Sequence, residues 1–123
     1  MLSPLRILVA EDEDTNYLYL SALLTRFNHS VFRAVNGKEA VDFIRETDDV
    51  DLVLMDIKMP VLNGYDALKL IKKLKPYLPV VAQTAYALSD DEQNIRAAGF
   101  DGYIAKPIMK NQLVNIIDSI HKH

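Results

Sequence analysis

Five side chains, far apart along the chain, have the types needed to hold a cation and a phosphoryl group, and each falls just after an apolar run. Leu52-Val53-Leu54-Met55 is continuously apolar and stops at Asp56, which reads as a strand buried on both faces and ending in one carboxylate. Ile7-Leu8-Val9-Ala10 stops at Glu11-Asp12, Val80-Val81-Ala82 at Gln83-Thr84, and Tyr103-Ile104-Ala105 at Lys106-Pro107. Open α/β sheets bind ligands in the crevice beyond the carboxyl ends of their strands. The four endings therefore predict one site made of Glu11, Asp12, Asp56, Thr84 and Lys106.

Three carboxylates crowded together repel, and a cation is what keeps all of them ionised. Magnesium fits, because it takes hard oxygen ligands in an octahedron and keeps several waters. Asp12 and Asp56 are the expected direct ligands, with Glu11 acting through a water and a main-chain carbonyl near Lys58 giving another oxygen. Zinc does not suit a chain with no cysteine and with its three histidines outside this cluster. An aspartate beside magnesium can attack a phosphoryl group to form an acyl phosphate. Positioned cations and donors then carry the rate enhancement: magnesium on one phosphoryl oxygen, Lys106 on a second, and the Thr84 hydroxyl or the Ala85 amide on a third.

The elements that must position these groups follow from periodicity. Arg6 to Ala10 is the first strand, and a helix capped by Asp14 or Thr15 follows, with the stripe Tyr17, Leu20, Leu23, Leu24 and Phe27, ended by Asn28-His29. Val31 to Val35 is a second strand whose Arg33 suits an edge. Asn36-Gly37 turns into a helix to about Glu46 that buries Ala40, Val41 and Ile44. After the Asp56 strand, the Met59 to Gly64 loop leads into a helix to about Lys75 burying Leu68, Ile71 and Leu74, and Pro76 stops it. Pro79 opens the fourth strand, and Ser89-Asp90-Asp91-Glu92 is a capping box for a helix with only Ile95, Ala97 and Ala98 to bury. So thin an apolar side makes this helix the easiest to shift. A fifth strand and a last helix with Leu113, Ile116, Ile117 and Ile120 complete the chain. Five strand-helix pairs imply an α/β fold, a five-stranded parallel sheet in the order 2-1-3-4-5 flanked by five helices.

Composition narrows the classes. The 123 residues read as a single domain spanning 1–123, and 50% hydrophobic content supplies one core. A net charge of -3 argues against phosphate-backbone binding, so no nucleic-acid partner is expected, and Lys72-Lys73-Lys75 reads as a solvated helix end. No apolar stretch approaches the ~20 residues needed to span a bilayer, and Met1-Leu2-Ser3-Pro4 lacks the features of a signal peptide. The expected location is cytoplasmic, with no membrane partner. Glu13 and Asp14 read as solvated loop, and His29, His121 and His123 as exposed.

Taken together, Ile7-Leu8-Val9-Ala10-Glu11-Asp12, Asp56 with Met59-Pro60 and Asn63-Gly64, Thr84-Ala85 and Lys106-Pro107 resemble the response-regulator receiver domain of two-component phosphorelays, from Arg6 to Ile120. The resemblance implies the flavodoxin-like receiver fold, phosphorylation of Asp56 in a magnesium-dependent reaction, and a sensor histidine kinase or histidine phosphotransfer protein as donor. It further implies a switch in which Thr84 moves toward the phosphoryl group and Tyr103 turns inward, changing the surface around the fourth and fifth helices, and a cis Lys106-Pro107 bond. Output would then pass to a separate effector or to attached kinase domains, and the domain would be no enzyme beyond its own phosphorylation and dephosphorylation. Thr84-Ala85-Tyr86-Ala87-Leu88 looks like receivers of hybrid histidine kinases, and the bulk of Lys58 and Tyr86 is expected to slow hydrolysis. Gln83 departs from the apolar pattern, and either hydrogen-bonds or faces the thin helix.

Other classes fit less well. A phosphatase with an aspartate nucleophile wants a second acid where this chain has Lys58. A flavodoxin-like nucleotide or flavin binder wants a phosphate cradle where Glu11 to Asp14 would repel phosphate. An unphosphorylated scaffold has no need of Asp56 and Lys106.

Overall fold

The computed structural model describes residues 4–85 and 89–121, the side chains of 89–91 and 121 excepted. Strand and helix alternate as β1 (Arg6–Ala10), α1 (Asp14–Arg26), β2 (Ser30–Ala34), α2 (Gly37–Glu46), β3 (Leu52–Asp56), α3 (Gly64–Leu74), β4 (Val80–Thr84), α4 (Ser89–Ala98), β5 (Gly102–Ala105) and α5 (Lys110–His121). The strands form one parallel sheet in the order β2-β1-β3-β4-β5, as the alternation predicts. Right-handed crossovers force this geometry, since each helix returns the chain to the same end of the sheet.

The continuous apolar runs are explained by two cores, one on each face. Val53, Met55, Val80 and Ala82 pack with Ala40, Val41 and Ile44 of α2, Ala67, Leu68 and Ile71 of α3, and Ile95 of α4. Ile7, Val9, Leu52, Leu54, Val81 and Ile104 pack with Leu20, Leu23 and Leu24 of α1 and Leu113 and Ile117 of α5. Register then fixes the site. Ala10 pairs with Met55, which brings the residues after β1 beside Asp56. Asp56 lies across from Gln83, and Thr84 across from Ala105.

Several local expectations are corrected. The first helix has Glu13 at its N-cap with no side-chain cap bond, so neither Asp14 nor Thr15 caps it. The second strand begins and ends one residue earlier than expected, leaving Val35 outside it. Leu74 is 40% exposed, since Ala67, Leu68 and Ile71 already fill the stripe of α3. Ala97 is exposed as well, so α4 buries even less than its sequence offers, chiefly Ile95. His29 is buried, 5% exposed, and its Nδ1 accepts the Leu5 N–H at 3.0 Å where the chain turns from α1 into β2. The positions of Tyr86 and His123 lie outside the described residues, as do the side chains of Ser89, Asp90 and Asp91 on which the capping box depends and that of His121.

Candidate functional site

Each of the five expected side chains is delivered by a strand end, and the structure brings them together. Asp56 is the last residue of β3 and Thr84 the last of β4, both buried; Glu11 and Lys106 follow β1 and β5 directly. Carboxylate oxygens of Glu11, Asp12 and Asp56 all lie within 4.8 Å of one another, with Asp12 open to solvent. Lys106 reaches into this group from the far side. Its Nζ stands 2.9 Å from Asp56 Oδ2 and 3.1 Å from Glu11 Oε1.

Main-chain contacts hold the acids in place. The Lys58 N–H donates to Asp56 Oδ1 at 3.0 Å, and the Glu13 N–H donates to Glu11 Oε2 at 3.2 Å. Gly64 lets α3 start against the end of β3: a Cβ there would stand 2.5 Å from the Asp56 carbonyl oxygen. The Asn63 side chain caps the same helix by accepting the Asp66 N–H. Lys106 is fixed by its own N–H, which donates to the Thr84 carbonyl at 2.7 Å, and the Lys106–Pro107 peptide is cis.

The electrostatics are those of a site short of positive charge. Burial pushes the Glu11 carboxyl up, and the Asp56 charge pushes it further; Lys106 pulls it only part of the way back. For Lys106 burial works to lower the ammonium, but bonding to Asp56 and then to Glu11 overcomes that and holds it above its ordinary value. Three carboxylates against one ammonium leave two negative charges, which one divalent cation would neutralise. Ligands around octahedral magnesium at about 2.1 Å stand roughly 3–4 Å apart; carboxylate oxygens gathered within 4.8 Å can converge on that ion directly or through a water, and the all-oxygen donor set suits it. A cleft of about 390 Å³ opens beside it, lined by Asp56, Lys58, Tyr65, Thr84, Asn94 and Lys106 among others.

Thr84 and Tyr103 share a face of the sheet, because β4 and β5 pair Ala82 with Tyr103 and Thr84 with Ala105. That is the face α4 covers, through Ile95. Tyr103 is half-buried against this core, with the Arg96 guanidinium of α4 5.7 Å from its ring centre. Gln83 meets neither expectation. Opposite Ile104 and two residues after Val81, it belongs to the α1/α5 face, and its fully buried amide has no hydrogen-bond partner among the described residues. Arg33, expected only to mark an edge, bonds the loop that carries the acids. A lone arginine in a strand gives no sign of that contact, which depends on the β1–β2 register.

A doubly wound sheet with an acidic pocket over its carboxyl edge, closed by a lysine after the last strand, defines the class. Residues 7–118 match the family described as the response regulator receiver domain, and the chain belongs to that family of two-component signalling domains. The polar-differentiation response regulator DivK of Brucella anthropi is 35% identical over 119 residues, covering 94% of this chain and 95% of that protein. Hybrid signal transduction histidine kinase I of Dictyostelium discoideum is 34% identical over 124 residues, 94% of this chain but 7% of that kinase. Among solved structures, the receiver domain of sensor histidine kinase PA1611 from Pseudomonas aeruginosa, with a magnesium ion in its active-site cleft, superposes with a TM-score of 0.87. The two are 32% identical, over 95% of this chain and 97% of that one. The receiver domain of Ssk1 from Saccharomyces cerevisiae, in a co-crystal with the phosphotransfer protein Ypd1, gives a TM-score of 0.88 at 27% identity, over 95% and 88% of the two chains. Among the described residues no helix is long and apolar enough to cross a membrane.

Proposed function

We propose that the chain is a phospho-accepting receiver whose Asp56 takes a phosphoryl group from a phosphohistidine of a sensor histidine kinase or a histidine phosphotransfer protein. The observation that carries this reading is the convergence of Glu11, Asp12, Asp56 and Lys106 at the carboxyl ends of β1, β3 and β5. Likeness to a magnesium-bound receiver and to one crystallised with Ypd1 supports it. Glu11, Asp12, Asp56 and main chain near Lys58 would hold magnesium, which neutralises the acids and draws charge from the phosphoryl oxygens.

In the transfer, an Asp56 carboxylate oxygen forms a bond to phosphorus while the phosphorus–nitrogen bond of the phosphohistidine breaks and its electron pair returns to the imidazole. Lys106, now paired with Asp56 Oδ2, follows the charge onto a phosphoryl oxygen. Thr84 supplies a hydroxyl from the next strand end, and as it moves toward the new group it vacates space on the face it shares with Tyr103. Tyr103 then turns inward under α4, and the surface of α4, β5 and α5 becomes the output. An element that buries little beyond Ile95 can be biased by a group that adds charge and acceptor oxygens.

The chain is then a single receiver unit rather than an enzyme with an external substrate, working in the cytoplasm through an effector or attached kinase domains, without nucleic acid of its own. A histidine phosphotransfer protein charged with labelled phosphate tests the reading. Label should pass to the wild-type chain in magnesium and not to Asp56→Asn. Equal labelling of that variant, or no labelling of either, would sink it.

A further inference from the structure

Arg33 sits in the edge strand β2, where a charge would ordinarily point into water and only discourage pairing with another chain. Its side chain is instead largely covered, 24% exposed, and is spent on the loop after β1. Nε and Nη2 both donate to the Glu11 carbonyl oxygen, at 3.2 and 3.1 Å. Nη2 also lies 2.8 Å from Asp14 Oδ1, and the guanidinium carbon is 4.6 Å from the centre of the Tyr17 ring. One planar group thus ties the peptide that leaves β1 to the first turn of α1.

That tie matters because α1 lacks the usual anchor. Its N-cap, Glu13, makes no side-chain cap bond, and its contact with the loop is through the main chain, the Glu13 N–H donating to Glu11 Oε2 at 3.2 Å. The Glu11 N–H already donates to the Ala34 carbonyl at 2.9 Å. With Arg33 on its carbonyl, Glu11 is fixed to β2 at both its polar backbone groups, and Asp12 leaves from a peptide that cannot swivel. We propose that Arg33 is a positioning residue for the cation site, holding the loop so that Glu11 and Asp12 stay within reach of the ion that Asp56 also binds. This rests on the magnesium reading of the same acids.

Charge and geometry make opposite demands here. A guanidinium near a divalent cation repels it, so if charge were its main effect, removing Arg33 would tighten binding. If Arg33 positions the loop, removal weakens binding, and partners one step behind metal ligands are typically worth 10–100-fold in affinity. The test is calorimetric titration of magnesium into the whole chain as wild type, Arg33→Met and Arg33→Lys, with a thermal melt of each in chelator to confirm folding. Expected is a dissociation constant weakened about 10–100-fold in Arg33→Met, and weakened also in Arg33→Lys, which keeps the charge and loses the fork. A folded Arg33→Met that binds magnesium as tightly as wild type, or more tightly, overturns the proposal. Should Arg33→Met not fold, Arg33→Lys decides alone: weakening supports the role and wild-type affinity removes it. Wild type that binds no magnesium would instead overturn the cation site itself, and Arg33's role with it.

Discussion

Replacing Lys106 by methionine removes the one ammonium that Glu11 and Asp56 share, at 3.1 and 2.9 Å, and leaves two buried carboxylates facing each other. Breaking a buried ion pair from one side costs about 3–5 kcal/mol. Lys106 is 19% exposed, so water softens the loss and the low end, roughly 3 kcal/mol, is expected. For a chain of this size that is on the order of 12 °C in melting temperature, at about 4 °C per kcal/mol. Magnesium should restore much of it. A ligand at 100 times its dissociation constant stabilises the native state by about 2.7 kcal/mol, and the variant, with no competing ammonium, should bind the ion more tightly than wild type does. The assay is thermal melting of both proteins in chelator and in saturating magnesium. A large gap in chelator that narrows in magnesium is expected. A variant as stable as wild type in chelator, or a gap indifferent to magnesium, would refute the view that Lys106 and the cation neutralise the same charges.

The remaining expectations concern neighbouring groups. Glu11 is held above 4.5 when folded, so the native state binds more protons than the unfolded chain as the pH rises above that value. The contribution of Glu11 to stability in chelator should therefore fall with rising pH from about 4.5 until the folded carboxyl has ionised, and magnesium should flatten it; urea melts of wild type against Glu11→Gln across that range check the sign. Gln83→Leu replaces a buried amide that has no partner among the described residues with an apolar side chain of similar size, and should raise stability by about 1 kcal/mol; a lower melting temperature would mean the amide has a partner. Gly64→Ala would press a methyl group to 2.5 Å from the Asp56 carbonyl oxygen. A loss of about 1–3 kcal/mol and slower phosphorylation from acetyl phosphate are expected, with unchanged rates counting against tight packing at that turn.

The sheet and the acids were legible because both write themselves into local sequence. A doubly buried strand must be continuously apolar, and Ile7 to Ala10, Leu52 to Met55 and Val80 to Ala82 are; a ligand group at a strand end then stands out as the first polar residue. What stayed hidden depends on contacts distant in sequence. The burial of His29 comes from the Leu5 N–H, 24 residues away. The grip of Arg33 on Glu11 comes from an adjacent strand. Leu74 was expected inside because its spacing is right, but Ala67, Leu68 and Ile71 already complete the buried stripe. Gln83 follows the alternation that puts Val81 inside, and nothing in its neighbours announces that its amide finds no partner among the described residues.

The assignment of Asp56 as the acceptor is tested most directly by chemical trapping. An acyl phosphate on aspartate is reduced by borohydride to homoserine, so treatment after incubation with acetyl phosphate marks the attacked residue for peptide mass mapping. Conversion at Asp56 alone, in magnesium and not in chelator, is the result expected. Conversion at Asp12 or another acid, or at Asp56 equally without the ion, would contradict it.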